Sequence, residues 1–292
     1  MSGSSEEEYE EEEAAAAPAA AAASLHNASI TTFQLKEITV DPVFFICTPQ
    51  GEGNTTLIGS LLIQLQKVRG LDGACILTDR ASKYYMGGIL PSNDILVDKP
   101  FDYTLRKLIE LQRNRQMTMP EEPALQWALV ADDYLYGPRG LVTPAVQRDI
   151  KLAKSYNITI ILATTSAKVL PDEAESLATH AMATKCLSTD TPKLLKKKMF
   201  VSYDSHVALA DTLALCSRHE FLVGILRFPE GSQSNTISEY SRAYTSTFYA
   251  RDKEFATHGH TRPEGVWTQA TFAMKPKHVS MLSHALRVGT DL

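Results

Sequence analysis

Val43-Phe44-Phe45-Ile46-Cys47-Thr48-Pro49-Gln50-Gly51-Glu52-Gly53-Asn54-Thr55-Thr56-Leu57 decides how the rest of the chain is read. An apolar strand runs into a turn bearing glycines, and the turn opens into an apolar helical pattern. That is the setting of the phosphate-binding loop G-x-x-x-x-G-K-[ST]. There, backbone amides of the turn and helix N-terminus cradle phosphates, a lysine reaches the β and γ groups, and a hydroxyl holds Mg²⁺. Here Thr48 stands at the first glycine position and Asn54 at the lysine position. Gly53 and Thr55 keep the cradle and the metal hydroxyl, while the cation that offsets phosphate charge is gone. The candidate nucleotide contacts are therefore Thr48, Gly51, Gly53, Asn54, Thr55 and Thr56. A plain strand-to-helix loop that binds nothing has the same outline.

A second element stands in the right order. Trp127-Ala128-Leu129-Val130-Ala131 leads into Asp132-Asp133, an apolar strand ending in acids. This is the Walker B pattern, in which the first carboxylate orients the Mg²⁺ shell and the second polarises an attacking water. Thr55 and Asp132 are thus the candidate metal residues and Asp133 the candidate general base. Paired acids after a strand also serve as turn and capping residues.

Composition bounds the answer. A chain of 292 residues holds one α/β domain with tails. Residues 1–30 stand apart: Glu6, Glu7, Glu8, Glu10, Glu11, Glu12 and Glu13 precede an Ala-rich stretch around Pro18. A segment with so little apolar surface to bury reads as a disordered acidic tail, and without a basic start it is neither a signal nor a transit peptide. The formal charge of -5 includes those seven Glu and no Lys or Arg, so residues 31–292 carry -5 + 7 = +2. That balance lacks the basic surplus typical of a nucleic-acid-binding domain. Lys193, Lys196, Lys197 and Lys198 form the one dense basic cluster and read as a solvated helix face. Cys47, Cys75, Cys186 and Cys216 contain no C-x-x-C pair and read as reduced thiols of an intracellular protein. His258 and His260 lack further close ligands for a metal.

Along the chain, an edge strand is expected over 33–38 and a central strand over 43–47. A helix is expected over 55–68 ending at Gly70, and short strands over 74–77 and 95–97. Further on, a helix spans about 102–116 and the acidic strand starts at Trp127. Thr143-Pro144 starts a helix reaching about Ser155, because a capping hydroxyl precedes a proline at the first helical position. Strands follow over 158–163, 182–187 and 221–226, with a helix capped by Asp190-Thr191-Pro192 and another over 206–216. Strands separated by helices predict an α/β, three-layer P-loop NTPase (RecA-like) fold with a mainly parallel central sheet. The expected organisation is a tail over 1–30, the NTPase-like domain over 31–228 and a C-terminal extension over 229–292, partly ordered, with a weak helix near 279–286.

In this order the motifs resemble the genome-packaging ATPases of large cytoplasmic DNA viruses, the poxvirus and iridovirus type within the FtsK/HerA superfamily. The resemblance covers about residues 33–226. It rests on Val43 to Thr56, on Ala128-Leu129-Val130-Ala131-Asp132-Asp133-Tyr134 with Tyr136, on Ile160-Ile161-Leu162-Ala163-Thr164-Thr165 leading to Leu170-Pro171, and on Phe221-Leu222-Val223. The chain departs from the family at three charged or polar positions. Asn54 replaces the lysine, Thr165 takes the place of a sensor glutamine, and Asp172, Glu173 and Glu175 stand where an arginine is usual. A basic residue acting on a neighbouring subunit's nucleotide is implied just before the strand over 158–163, and Lys154 fills that place.

The resemblance implies ATP and Mg²⁺ as cofactors, double-stranded DNA and the viral capsid as partners, and a homo-oligomeric ring or an assembly with an active paralogue. It places the protein in the host cytoplasm at the assembly site or in the virion. One cation supplied to a phosphoryl-transfer transition state is worth about 10³ to 10⁵ in rate, so the missing charges predict weak hydrolysis unless Arg80 or Lys83 compensates. The alternative is a catalytically inactive pseudo-ATPase serving as a structural or regulatory subunit. A third reading is an interaction protein that uses the acidic tail and the C-terminal region.

Overall fold

The structure is a computed structural model and describes residues 31–32, 35, 42–78, 100–133, 143–172, 174–186, 188–217, 220–227 and 237–244. Expectations for the tail, for the strand over 95–97, for Arg80, Lys83, Tyr134 and Tyr136, for His258 and His260 and for the helix near 279–286 lie outside the described residues; of the edge strand over 33–38, only Leu35 lies within them. The strands are β1 (Thr31–Thr32), β2 (Val43–Cys47), β3 (Gly73–Thr78), β4 (Trp127–Asp132), β5 (Ile158–Thr164), β6 (His180–Ala183), β7 (Glu220–Arg227) and β8 (Ile237–Tyr244). The helices are α1 (Asn54–Arg69), α2 (Phe101–Thr118), α3 (Pro144–Ala153), α4 (Ala174–Leu177), α5 (Asp190–Lys198) and α6 (His206–Leu215).

All these strands join one sheet in the order β1-β8-β7-β6-β2-β5-β4-β3. From β3 across to β6 every pairing is parallel, and β7 adds to β6 antiparallel. The continuous apolar runs of β2, β4 and β5 are buried along their whole lengths, as strands covered on both faces must be. Alternation sorts their side chains. Val43, Phe45 and Cys47 meet α2, α3, α5 and α6, while Phe44 and Ile46 meet Leu57, Ile58, Leu61, Leu62 and Leu65 of α1. Two helical layers therefore enclose a parallel sheet, and the fold is that of an α/β P-loop NTPase. The strand that feeds the loop, β2, lies between β5 and β6, so β5 separates it from the acidic strand β4.

Local signals set the helix boundaries. The Thr143 hydroxyl accepts from the Val146 amide at 3.3 Å with Pro144 in the first turn, and the Ser205 hydroxyl accepts from Ala208 at 3.0 Å to start α6. Gly70 follows α1 with φ 68°, the left-handed conformation that glycine adopts without cost. Buried Gln112 of α2 donates to the carbonyls of Leu125 and Tyr156, tying the approaches of β4 and β5 to that helix. At the start of β3, Gly73 is paired with Trp127, whose ring occupies the space a Cβ would need: the nearest ring carbon would lie 2.3 Å away.

Three expectations need correction. The strand expected over 182–187 is β6 at His180–Ala183, because His180 enters the sheet opposite Phe44 and stacks on its ring at 4.6 Å. Thr184 then leaves the ladder and donates its hydroxyl to the Glu220 carbonyl at 2.6 Å. The residue preceding α5 is Thr189, with Asp190 inside the first turn. Lys198 of the basic cluster is buried, donating to the carbonyls of Lys168 and Leu170 and lying 3.4 Å from Asp172, whereas Lys193 and Lys197 are exposed as expected. Beyond residue 228, β8 pairs with β7 over the length of both strands and carries the sheet into the stretch expected as an extension. No helix among the described residues is long and apolar enough to cross a membrane.

Candidate functional site

The site forms where the parallel strands end. Chain direction and register bring the C-terminal ends of β2, β5 and β6 level, with Cys47 opposite both Thr164 and Ala183. Leaving β2, Thr48 is fully buried and its amide donates to the Thr164 carbonyl at 3.0 Å. The loop then turns through Pro49 to Glu52, with Gly51 at φ 90° and Gly53 at φ 101°. A side chain at either would be strained, so both glycines are required by the path. Gly53 accepts the first bond of α1, from the Leu57 amide at 2.9 Å. Gly51 is exposed, and Glu52, Gly53, Asn54 and Thr55 are partly so. The first-turn amides of α1 have no partner within the helix and carry the positive end of its dipole, which is what a phosphate group requires.

The acidic strand delivers its carboxylate to this helix end. Asp132 closes β4, is 5% exposed and accepts from two residues of the loop. The Thr55 hydroxyl reaches one carboxylate oxygen at 3.2 Å, and the Asn54 side-chain amide reaches the other at 3.4 Å. The Asn54 side-chain oxygen is buried and has no hydrogen-bond partner. Thr55, Asp132 and Asn54 thus gather hard oxygen donors, the set that suits Mg²⁺. These residues fit a metal-bound nucleotide in their oxygens and amides. They do not supply a cation, since residues 42–56 contain no Lys or Arg.

Asp133 follows with φ 57°, a left-handed conformation that aspartate tolerates better than most residues. Its amide donates to the Ala163 carbonyl at 2.9 Å, and its carboxylate accepts from the Thr165 amide at 2.8 Å. Thr165, at the place of the sensor glutamine, is therefore brought to the site through its backbone. Sequence reasoning missed Thr164, which serves the loop through its carbonyl; backbone contacts of this kind leave no residue-type signal. The Cys47 thiol is raised well above its ordinary range, by burial first and by the nearby Cys186 and Asp133 charges second. Burial likewise pushes Cys186 up to about 11, so both act as packing residues.

Lys154 is not gathered with these residues. It sits in the 3₁₀ turn Lys154–Tyr156 before β5, at the opposite end of the strands from the loop, and seven residues of strand place it roughly 20 Å away. Burial, and next the charge of Lys151, lower its pKa. Of the remaining candidates, the backbone of Thr56 lies in the first turn of α1.

No family model matches the chain, and no curated protein matches it. Among solved structures, the genome-packaging NTPase B204 of Sulfolobus turreted icosahedral virus 2, in complex with ATP-gammaS, is similar at 17% identity and a TM-score of 0.48, over 69% of this chain and 96% of that one. B204, the DNA-packaging ATPase of Sulfolobus turreted icosahedral virus, is similar at 18% identity and a TM-score of 0.47, over 70% and 98% of the two chains. ATPases 2 and 3 of EssC from Geobacillus thermodenitrificans are similar at 9% identity and a TM-score of 0.47, over 85% of this chain and 45% of that one. At these values the fold assignment rests on the strand order and the loop described above.

Proposed function

We propose that this chain is a viral DNA-packaging ATPase-like protein that binds an ATP–Mg²⁺ complex at a lysine-free phosphate loop. The observation that carries the reading is the contact of Thr55 with Asp132 at 3.2 Å, which unites the helix that follows the loop with the acidic strand two positions away in the sheet. Loop amides and the α1 N-terminus bind phosphate oxygens, Thr55 and Asp132 orient the metal side of the nucleotide, and Asp133 faces the attacking water. Thr55 and Asp132 would hold the divalent cation, which would supply positive charge to offset that of the phosphates. Double-stranded DNA and the capsid enter as partners through the motif resemblance, together with the large cytoplasmic DNA virus type, a ring assembly and a role for Lys154 across a subunit boundary.

A second reading is favoured by the Asp133 contact. A carboxylate that caps the Thr165 amide is already engaged in holding backbone, and a loop without lysine stabilises a transition state weakly. A pseudo-ATPase that binds nucleotide and serves as a structural or regulatory subunit has these features. Calorimetry of the full chain with ATP and Mg²⁺, beside the Thr55→Ala, Asp132→Ala double variant, tests the common ground. Binding that vanishes in the variant supports a working cradle, and hydrolysis measured with and without double-stranded DNA then separates the two readings. No binding to folded protein overturns both nucleotide readings.

A further inference from the structure

Asn54 stands where the loop motif has its lysine. We propose that Asn54 acts on the metal side of the site, holding Asp132 through its amide nitrogen and offering its carbonyl oxygen to the shell of a divalent cation that arrives with the nucleotide. This rests on the nucleotide reading above.

Three observations carry it. First, the Asn54 nitrogen contacts Asp132 at 3.4 Å while Thr55 takes the other carboxylate oxygen at 3.2 Å, so neighbouring residues of one helix turn hold both oxygens of the same acid. The carboxylate fixes which end of the amide faces it: an oxygen there would be repelled, and the nitrogen is attracted. Second, that orientation leaves the Asn54 oxygen buried without a hydrogen-bond partner. An orphaned buried acceptor is destabilising, and a cation or its bound water is the partner that removes the cost. Third, no group of three His, Cys, Asp or Glu gathers among the described residues. One carboxylate, one amide oxygen and one hydroxyl are too few to retain Mg²⁺ alone, since Mg²⁺ prefers six ligands and is commonly shared with phosphates.

The two halves of the argument meet in charge. A lysine at this position would face the phosphates with one positive charge independent of any metal. Asn54 provides none, and residues 42–56 contain no Lys or Arg, so the compensation that this segment does not draw from its amides comes through the cation. Phosphate binding in this chain is therefore conditional on the metal, and Asn54 helps set that condition.

The test uses the full chain and measures ATP affinity by calorimetry with Mg²⁺ and again with EDTA. Mn²⁺ retention in the ternary complex is followed by electron paramagnetic resonance. Wild-type protein is expected to bind ATP with metal and to lose the signal with EDTA. Asn54→Ala should lower Mn²⁺ retention about 10- to 100-fold, the usual effect of removing a residue that orients a metal ligand. Asn54→Lys should restore ATP binding in EDTA. A urea unfolding midpoint close to that of wild type establishes that Asn54→Ala is folded, and Asn54→Lys carries the test if it is not. If wild type binds ATP equally well with Mg²⁺ and with EDTA, or if Asn54→Ala leaves Mn²⁺ retention unchanged, the assignment of Asn54 fails while the cradle stands. If wild-type protein binds no ATP under either condition, the nucleotide reading fails and this inference with it.

Discussion

Asp133 combines a conformational role with a proposed chemical one, and a substitution series separates them. The residue sits at φ 57° and its carboxylate accepts the Thr165 amide at 2.8 Å. Alanine at this position loses a hydrogen bond to a charged group, about 1.5–3 kcal/mol, and the local side-chain bonding by which aspartate offsets part of the about 1–2 kcal/mol that the left-handed region costs a Cβ residue. The site is partly exposed, so water recovers some of the second, and a loss of about 2–4 kcal/mol is expected for Asp133→Ala. Glycine removes the conformational cost but not the lost acceptor, and about 2 kcal/mol is expected for Asp133→Gly. Asparagine tolerates the conformation and keeps an acceptor oxygen, so Asp133→Asn should cost about 1 kcal/mol. Urea unfolding of the full-length variants gives the order directly through midpoints at constant slope. If Asp133→Ala proves as stable as Asp133→Asn within about 0.5 kcal/mol, the capping argument is wrong. Nucleotide hydrolysis in the folded Asp133→Asn protein then reports on the base alone.

Gly73→Ala forces a methyl group into the Trp127 ring, and overpacking of about 1–3 kcal/mol should lower Tm by about 3–10 °C; a variant melting with wild type would contradict the close approach. Burial lowers the pKa of His180 from 6.5 to about 4, so the unfolded chain binds a proton in that interval and the folded one does not. Stability contributed by the neutral ring should therefore fall as pH drops from about 6.5 to about 4, by up to about 1.4 kcal/mol per pH unit, and His180→Leu should flatten that slope in denaturant titrations.

The parts of this fold that are legible in sequence are those governed by residue type. The runs Val43 to Cys47 and Trp127 to Ala131 could only be buried strands, and Thr143-Pro144 marked a helix start that the Val146 bond confirms. Positions governed by partners were harder to read. His180 counts as polar until Phe44 supplies a ring to stack on, which is why β6 begins two residues before its expected start. β8 carries Ser, Glu, Tyr and Arg in place of an apolar run and joins the sheet by pairing with β7. In the site, the loop and the acid were named from their motifs, whereas the Asn54 contact and the Thr165 cap depend on distances across the fold.

The carbonyl that receives the Thr48 amide and the amide that is given to Asp133 belong to the same peptide unit, the one joining Thr164 to Thr165. A peptide unit is a flat plate that resists twisting, so its two ends cannot tilt independently. The loop and the second acid are thus fastened to opposite edges of one plate. An adjustment of Thr48 large enough to tilt that plate would change the bond to Asp133 as well, with no other side chain needed to pass the motion along.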